Sequence, residues 1–361
     1  MRRELGMLIA LVLMCIALWT SNSDFLSASN VVNTTRQISM LGIFAIGIAF
    51  VIITGGIDLS IGSVVGLTGV IIARLSSTQA GGLGYPLWIG ITIALLAAVA
   101  VGALQGLLIT RLKLQPFIVT LGGMFLLRGV SQTIVDGGVI SMGDSPLLNI
   151  SSGGLLHLGR EPLIGWPIVI FAAVAALGAY LLHYTVLGRY IYAIGGNREA
   201  ARYSGINVNR VELLTYMISA GTAGVAGVCY AAYIGQMSQQ VGVAYELYAI
   251  TAAVLGGCSL RGGEGTIFGI VIGASMIKVI DNGINMFQWR YTDSDGIPRI
   301  WRLNSNWTLI IFGAVILVAV VLDQVVHMAE AARRLRDAGA PKPVAGPPSG
   351  APPEAAKSPA A

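Results

Sequence analysis

The sequence predicts an all-α polytopic membrane protein with about ten transmembrane helices. One observation is bulk composition: 55% of the 361 residues are hydrophobic, only 11% are charged and the mean hydropathy is +0.76, far outside the range of soluble domains. A second is length, because the apolar segments run to roughly 18–24 residues, enough to cross a hydrocarbon core about 30 Å thick. The third is where the basic residues fall, which is between apolar segments and in the C-terminal tail. That distribution explains the net charge of +5 without nucleic acid as a partner.

The spans read at 5–20, 36–54, 57–75, 87–109, 117–134, 166–187, 212–234, 247–257 with its flank, 266–288 and 305–323. The first also fits a secretory signal, with Arg2-Arg3, an apolar core and Ser27-Ala28-Ser29 as a cleavage site. Removing it would put the two ends on opposite sides, whereas the basic tail calls for the cytoplasm. The eighth span is short and reaches full length only by drawing in Tyr245 to Tyr248. An even count puts both termini on one side. Arg2, Arg3, Arg111, Lys113, Arg189, Arg198, Arg202, Arg210, Arg261, Arg333, Arg334, Arg336, Lys342 and Lys357 share that side, which the positive-inside rule makes the cytoplasm. Arg290, Arg299 and Arg302 gather on the other and weaken the contrast. Residues 1–325 then form a transmembrane domain with a cytosolic loop at 188–211 and an outer insertion at 289–304. Residues 326–361 form a basic, Ala- and Pro-rich tail unable to bury enough apolar area to fold.

Within the cytosolic loop, Asn197 is placed to cap a short helix, Glu199 suits its first turn, and Gly205 suits the left-handed residue that closes it. A helix of about two turns is marginal alone, so something must hold it. Ala200 and Ala201 leave room for a partner's groove, and Asn209 with Glu212 has the capping-box pattern that starts the next helix. Asp58 reads as a residue of the cytosolic turn between the second and third spans, and Arg128 lies towards the outer end of the fifth. Lys278 and Asp281, at i and i+3 in the ninth, are expected to form an ion pair that lowers the cost of both.

No phosphate-binding loop is present: Lys357, which precedes a serine, follows Ala356 rather than glycine. No Gly-x-Ser-x-Gly occurs, and His157, His183 and His327 are isolated, so no catalytic residue, metal site or cofactor is expected. Cys15, Cys229 and Cys258 show no paired spacing and read as packing residues. A passive permease driven by a separate ATPase and an ion-coupled carrier acting alone both remain. The carrier reading lacks a clear mid-membrane carboxylate and has no use for a capped docking helix.

Three stretches carry a resemblance: Gly55-Gly56-Ile57-Asp58-Leu59-Ser60-Ile61-Gly62-Ser63, then Tyr192-Ala193-Ile194-Gly195-Gly196-Asn197-Arg198-Glu199-Ala200-Ala201-Arg202, then Val254-Leu255-Gly256-Gly257. In this order they resemble the permease subunit of bacterial monosaccharide ABC importers, the ribose, xylose and galactose group, over roughly residues 5–325. The resemblance implies the ABC importer permease fold in the bacterial inner membrane. It also implies a dimer with a second permease subunit around one path, a cytosolic ABC ATPase subunit and a periplasmic substrate-binding protein. Residues 195–206, from Gly195 and Gly196 through Gly205 to Ile206, are implied to be the coupling helix that docks on the ATPase. Gly55, Gly56, Asp58 and Ser60, with Asn282 and Asn285 in the ninth span, are the candidates for pathway or gate. Branched-chain amino acids or a furanosyl signal molecule are alternative cargoes.

Two features depart from the group. Trp289 to Arg302 replaces a short outer connection, and Asp295-Gly296 between aromatics predicts a β-hairpin there. Lys278 and Asp281 stand where apolar or small residues are expected. Finally, Gly55-Gly56-x-x-Leu59-x-x-Gly62 recurs as Gly256-Gly257-x-x-Leu260-x-x-Gly263, which suggests close helix packing or a repeat in one orientation.

Overall fold

The computed structural model describes residues 2–158, 161–292 and 298–302, with single helical positions between 307 and 328. The chain divides into Met1–Ala319 and Val320–Ala361. The architecture that follows belongs to the first unit; the second is described only as helical at residues 321, 325 and 328.

Helix α1 (Arg2–Ser21) ends at Asn22, whose side chain accepts from the Asp24 N–H and opens a 3-10 turn, Ser23–Leu26. Helix α2 (Ala28–Ile53) is the spine of the bundle, with 83% of its apolar window buried. It is followed by α3 (Ile61–Ser76), α4 (Leu87–Arg111) and α5 (Pro116–Val135), the last started by a proline in the first turn, where no N–H is missed. Beyond α5 come β1 (Ile140–Ser141), α6 (Leu148–Ser152) and the hairpin of β2 (Gly154–Leu158) and β3 (Glu161–Gly165). Helix α7 (Trp166–Ala179) continues as a π-helical turn, Tyr180–Tyr184.

Helices α8 (Val186–Gly196) and α9 (Arg198–Tyr203) precede α10 (Val208–Ile234), which returns through the centre against α2, α3 and α4. Strand β4 (Gln236–Met237) pairs antiparallel with β1 in the register Ile140 to Met237 and ties the ends of α5 and α10 together. Helices α11 (Tyr245–Leu255) and α12 (Ile267–Met286) complete the described core. Strands β5 (Gln288–Thr292) and β6 (Pro298–Arg302) pair antiparallel with Trp289 opposite Trp301, so the insertion is a hairpin; its turn lies outside the described residues.

Close contact between α2 and α10 is built on small residues. A Cβ at Gly47 would run into the Thr222 hydroxyl and lie 3.1 Å from the Ser219 Cα, so glycine there lets the two helices approach closely. Helix α1 stays outside this core, with none of its apolar window buried, and rests on α12. Thr266 Oγ1 donates to Glu4 Oε1 at 2.7 Å, Leu18 lies against Gly283, and Asn22 Nδ2 donates to the Met286 carbonyl at 3.2 Å.

Seven of the described helices, the π-helical turn counted with α7, are long and apolar enough to cross a membrane. Helices α3 and α11, at the third and eighth expected spans, are apolar but shorter, at 16 and 11 residues. The tenth expected span, 305–323, is described only at scattered helical positions, and the expected tail, apart from residue 328, lies outside the described residues.

Candidate coupling surface and buried polar core

Asn197 is extended at φ −159° and its side-chain oxygen accepts from the Ala200 N–H at 3.0 Å, while Gly205 closes the turn at φ +83°. The helix between them is only six residues long, shorter than the 195–206 stretch implied by resemblance. What holds it is the rest of the chain. Ala201 is 4% exposed and belongs to the main hydrophobic cluster, so it faces inward, contrary to its expected place in a partner's groove. The outward face is Glu199, Ala200 and Tyr203, the last 87% exposed.

The expected capping box is also different. Asn207, not Asn209, caps α10, accepting from the Arg210 N–H at 3.1 Å. Glu212 is buried and instead binds Arg198 at 2.8 Å, fastening the start of α9 to the first turns of α10. The Arg202–Glu199 pair, 3.5 Å apart with both side chains more than half exposed, adds little.

Glycine turns at Gly55, Gly195 and Gly262-Gly263 meet beside this helix. The Gly263 N–H donates to the Ile53 carbonyl at 2.8 Å, where α2 ends. A Cβ at Gly195 would lie 1.9 Å from that same carbonyl oxygen and 2.3 Å from the Gly263 nitrogen. Gly55 at φ +83° and Gly263 at φ +79° allow the two turns to close on each other. The end of α8, the end of α2 and the α11–α12 loop therefore touch backbone to backbone. The proposed repeat goes no further than its glycines, since Gly62 lies inside α3 and Gly263 in the loop.

From Gly56 the chain turns inward. Asp58 is fully buried rather than at a surface turn, opposite Ser219, which stands about 17 Å along α10 from Val208. Its Oδ1 accepts from the Ser60 N–H at 2.9 Å and lies 2.7 Å from the Ser60 hydroxyl; its Oδ2 accepts from the Ser219 hydroxyl at 2.8 Å. Ser60 Oγ is also 3.0 Å from Gln105 Oε1, while Gln105 Nε2 is buried without a partner among the described residues. Turning that amide over completes a chain in which Gln105 donates to Ser60 and Ser60 to Asp58. Tyr216 donates to the Ile57 carbonyl at 3.4 Å and covers the same turn.

A second charged group lies close by. Arg128, on α5, reaches Ser63 Oγ at 3.1 Å through Nε and Glu246 Oε1 at 3.4 Å through Nη2; Glu246 Oε2 is buried with no hydrogen-bond partner among the described residues. Neither Glu246 nor the pairing was foreseen, although an acidic residue beside an apolar span is a functional signal in itself. Breaking a fully buried pair leaves one charge uncompensated, at about 3–5 kcal/mol, and less here because the Arg128 side chain is 28% exposed, whereas removing both can be neutral. Arg128→Met should therefore lower the yield and thermal stability of the purified protein more than Arg128→Met with Glu246→Leu. Equal loss in the single and double variants would show that the two charges act separately.

On α12, Lys278 Nζ lies 3.2 Å from Asp281 Oδ2, both partly buried. Asn282 and Asn30 of α2 exchange hydrogen bonds of 2.7 and 3.1 Å, and Asn285, exposed, donates to the Asp281 carbonyl at 2.8 Å. The pathway candidates thus fall in two places: Gly55, Gly56, Asp58 and Ser60 at the α2–α3 break, and Asn282 and Asn285 towards the far end of α12.

A chain of membrane-length helices with buried charges fits a carrier as well as a permease, and comparison with known proteins decides between them. The sequence profile of the family described as branched-chain amino acid transport system / permease component matches residues 30–320. The chain belongs to this family. It is similar to the ribose import permease protein of Escherichia coli K12, 36% identical over 88% of this chain and 92% of the relative. The Haemophilus influenzae protein of the same name is 38% identical over 87% and 91%. The xylose transport system permease protein of Escherichia coli K12 is 32% identical over 87% and 89%. No solved structure matches. The permease is a multi-pass, all-α membrane protein and a transport subunit rather than an enzyme.

Proposed function

We propose that this permease is the membrane-spanning subunit of an ATP-driven importer of a monosaccharide or related polyol in the bacterial inner membrane. Its relatives are named for ribose and xylose. A cytosolic ATPase subunit, a periplasmic binding protein and a second permease subunit are its partners. Both termini face the cytoplasm, and the 289–304 insertion faces outward. The observation that carries the coupling role is α9, a short helix clamped on its inner side by Ala201 and the Arg198–Glu212 pair, with Glu199, Ala200 and Tyr203 left outward. Force applied to that face passes through α8 to the glycine contact and on to the α2–α3 break where Asp58 sits.

Ala200→Glu tests this reading. The exposed position accepts a carboxylate without harm to the permease itself, but an unpaired charge buried on docking costs several kcal/mol. Co-purification of the ATPase should be lost at an unchanged membrane level of permease. Ala201→Glu should instead reduce the permease, because it drives a charge into the chain's own packing. Normal ATPase binding and uptake in Ala200→Glu would make 188–211 an ordinary connector. A branched-chain amino acid is the second reading of the cargo, favoured by the family's description. A thermal-shift screen of the cognate binding protein against pentoses, hexoses, polyols and amino acids separates the two.

A further inference from the structure

Between α2, α10, α11 and α12 lies a cavity of about 280 Å³, well away from the coupling end. Its volume is at the small end of ligand pockets, which start at about 300 Å³, and suits one small molecule. The lining combines Phe44 and the tyrosines Tyr230, Tyr233, Tyr245 and Tyr248 with Gln37 and Lys278. Three of the rings form one cluster: Tyr245 is stacked on Phe44 at 6.1 Å between centroids, and Tyr230 packs at 4.9 Å on its ring. Tyrosines offer apolar faces and polar tips together, and the glutamine adds an amide with both donors and an acceptor. Such a wall fits a molecule that has C–H faces and hydroxyl edges.

Charge narrows the ligand further. The cation on the lining, Lys278, is already neutralised by Asp281 at 3.2 Å, and its ammonium also sits 5.7 Å from the Tyr248 ring centroid. Arg36 stacks on the Tyr233 ring at 5.7 Å and does not line the cavity. A carboxylate or phosphate would meet no unpaired cation at the lining, so the cavity favours an uncharged ligand.

A polar seam leads to it. Asn30, Asn33 and Gln37 share one face of α2 at i, i+3 and i+7, and Lys278, Asp281, Asn282 and Asn285 share one face of α12. The two faces meet, with Asn30 bonded to Asn282, while Asn33 accepts from the Tyr233 hydroxyl at 3.1 Å. Facing polar rows that run from the start of one helix towards a cavity, with Lys278 and Asp281 among them, give a small polar molecule a path of hydrogen-bonding groups. We infer that this cavity is a subsite for one uncharged monosaccharide or polyol, reached along the α2–α12 seam. It rests on the sugar-importer reading and places a sugar contact inside a single permease subunit.

The experiment uses cells carrying the whole transporter with Gln37→Cys in a Cys15→Ser background, since Cys229 and Cys258 are buried. A membrane-impermeant maleimide is applied from outside with D-ribose, D-xylose or L-leucine, and uptake of each is measured in the same cells. With a transported sugar at about ten times its Kd, labelling should slow about tenfold, and L-leucine should give no protection. Tyr245→Ala should raise the KM for that sugar about tenfold, Tyr245→Phe should spare it, and the exposed Tyr180→Ala should leave it unchanged. Sugar uptake with unprotected labelling, or with no labelling at all, overturns the subsite and leaves the importer reading standing. Protection and uptake with L-leucine alone overturn both.

Discussion

Gly195→Ala is expected to abolish coupled uptake, and Gly196→Ala, one residue on, to leave it intact. The added methyl at 195 would sit 1.9 Å from the Ile53 carbonyl oxygen and 2.3 Å from the Gly263 nitrogen. Both obstacles are backbone, so no side chain can turn aside, and α8 must lift away from the ends of α2 and the α11–α12 loop. Overpacking of this kind costs about 3 kcal/mol at the upper end of the usual range, roughly a hundredfold in the docked population. A methyl at 196 meets nothing within 4 Å. Uptake normalised to membrane level, with ATP hydrolysis by the assembled transporter alongside, reads the difference. Equal uptake in the two variants would mean that the backbone contact transmits nothing.

Asp58→Ala should remove most of the functional permease, and Asp58→Asn should spare much of it. Alanine leaves the Ser60 N–H with no acceptor, about 1–3 kcal/mol for a buried donor, and opens a void where the carboxylate stood. The hydroxyls of Ser60 and Ser219 must also turn elsewhere. The total of several kcal/mol is a large part of an ordinary fold stability of about 5–15 kcal/mol. Asparagine keeps an acceptor for the Ser60 N–H and a donor for Ser219. Thermal stability in detergent and uptake in cells should fall in the order wild type, Asn, Ala. Normal stability of Asp58→Ala with uptake lost would instead make the carboxylate a participant in transport rather than a support for the break.

Hydropathy alone placed the long described helices, because a bilayer-length apolar run is a strong signal and α2, α4 and α10 carry it plainly, whereas the short α6, α8 and α9 carry no such run. Orientation of side chains was harder to read. Asp58 follows Gly55-Gly56 and looks like a surface turn, yet the turn folds inward because Tyr216, Ser219 and Gln105 supply its covering and hydrogen bonds from 45 to 161 residues away. Ala201 and Ala200 are alike in sequence, and only the tertiary packing of a six-residue helix tells them apart. Glu212 fits a capping box with Asn209, but pairing with Arg198 is stronger than a local backbone bond. The same long-range pairing hid Glu246. Its partner Arg128 lies 118 residues earlier, on a helix whose own pattern is simply apolar. With Asp58 and Glu246 both buried, the lack of an interior carboxylate no longer argues against a carrier, and family membership alone carries that exclusion.

The placing of α1 has a consequence for the order in which the protein is made. This helix is synthesised before α12, yet its fastenings are to the region of α12: Glu4 to Thr266, Leu18 to Gly283, Asn22 to Met286. At about 5–20 residues per second, those partners emerge tens of seconds later. Through that interval α1 is kept in the bilayer by its own apolar length, before its main packing partner among the described helices exists. Its arrival against α12 is therefore a late assembly step. A nascent chain halted before Thr266 exposes α1 as an orphan helix that membrane quality control can recognise.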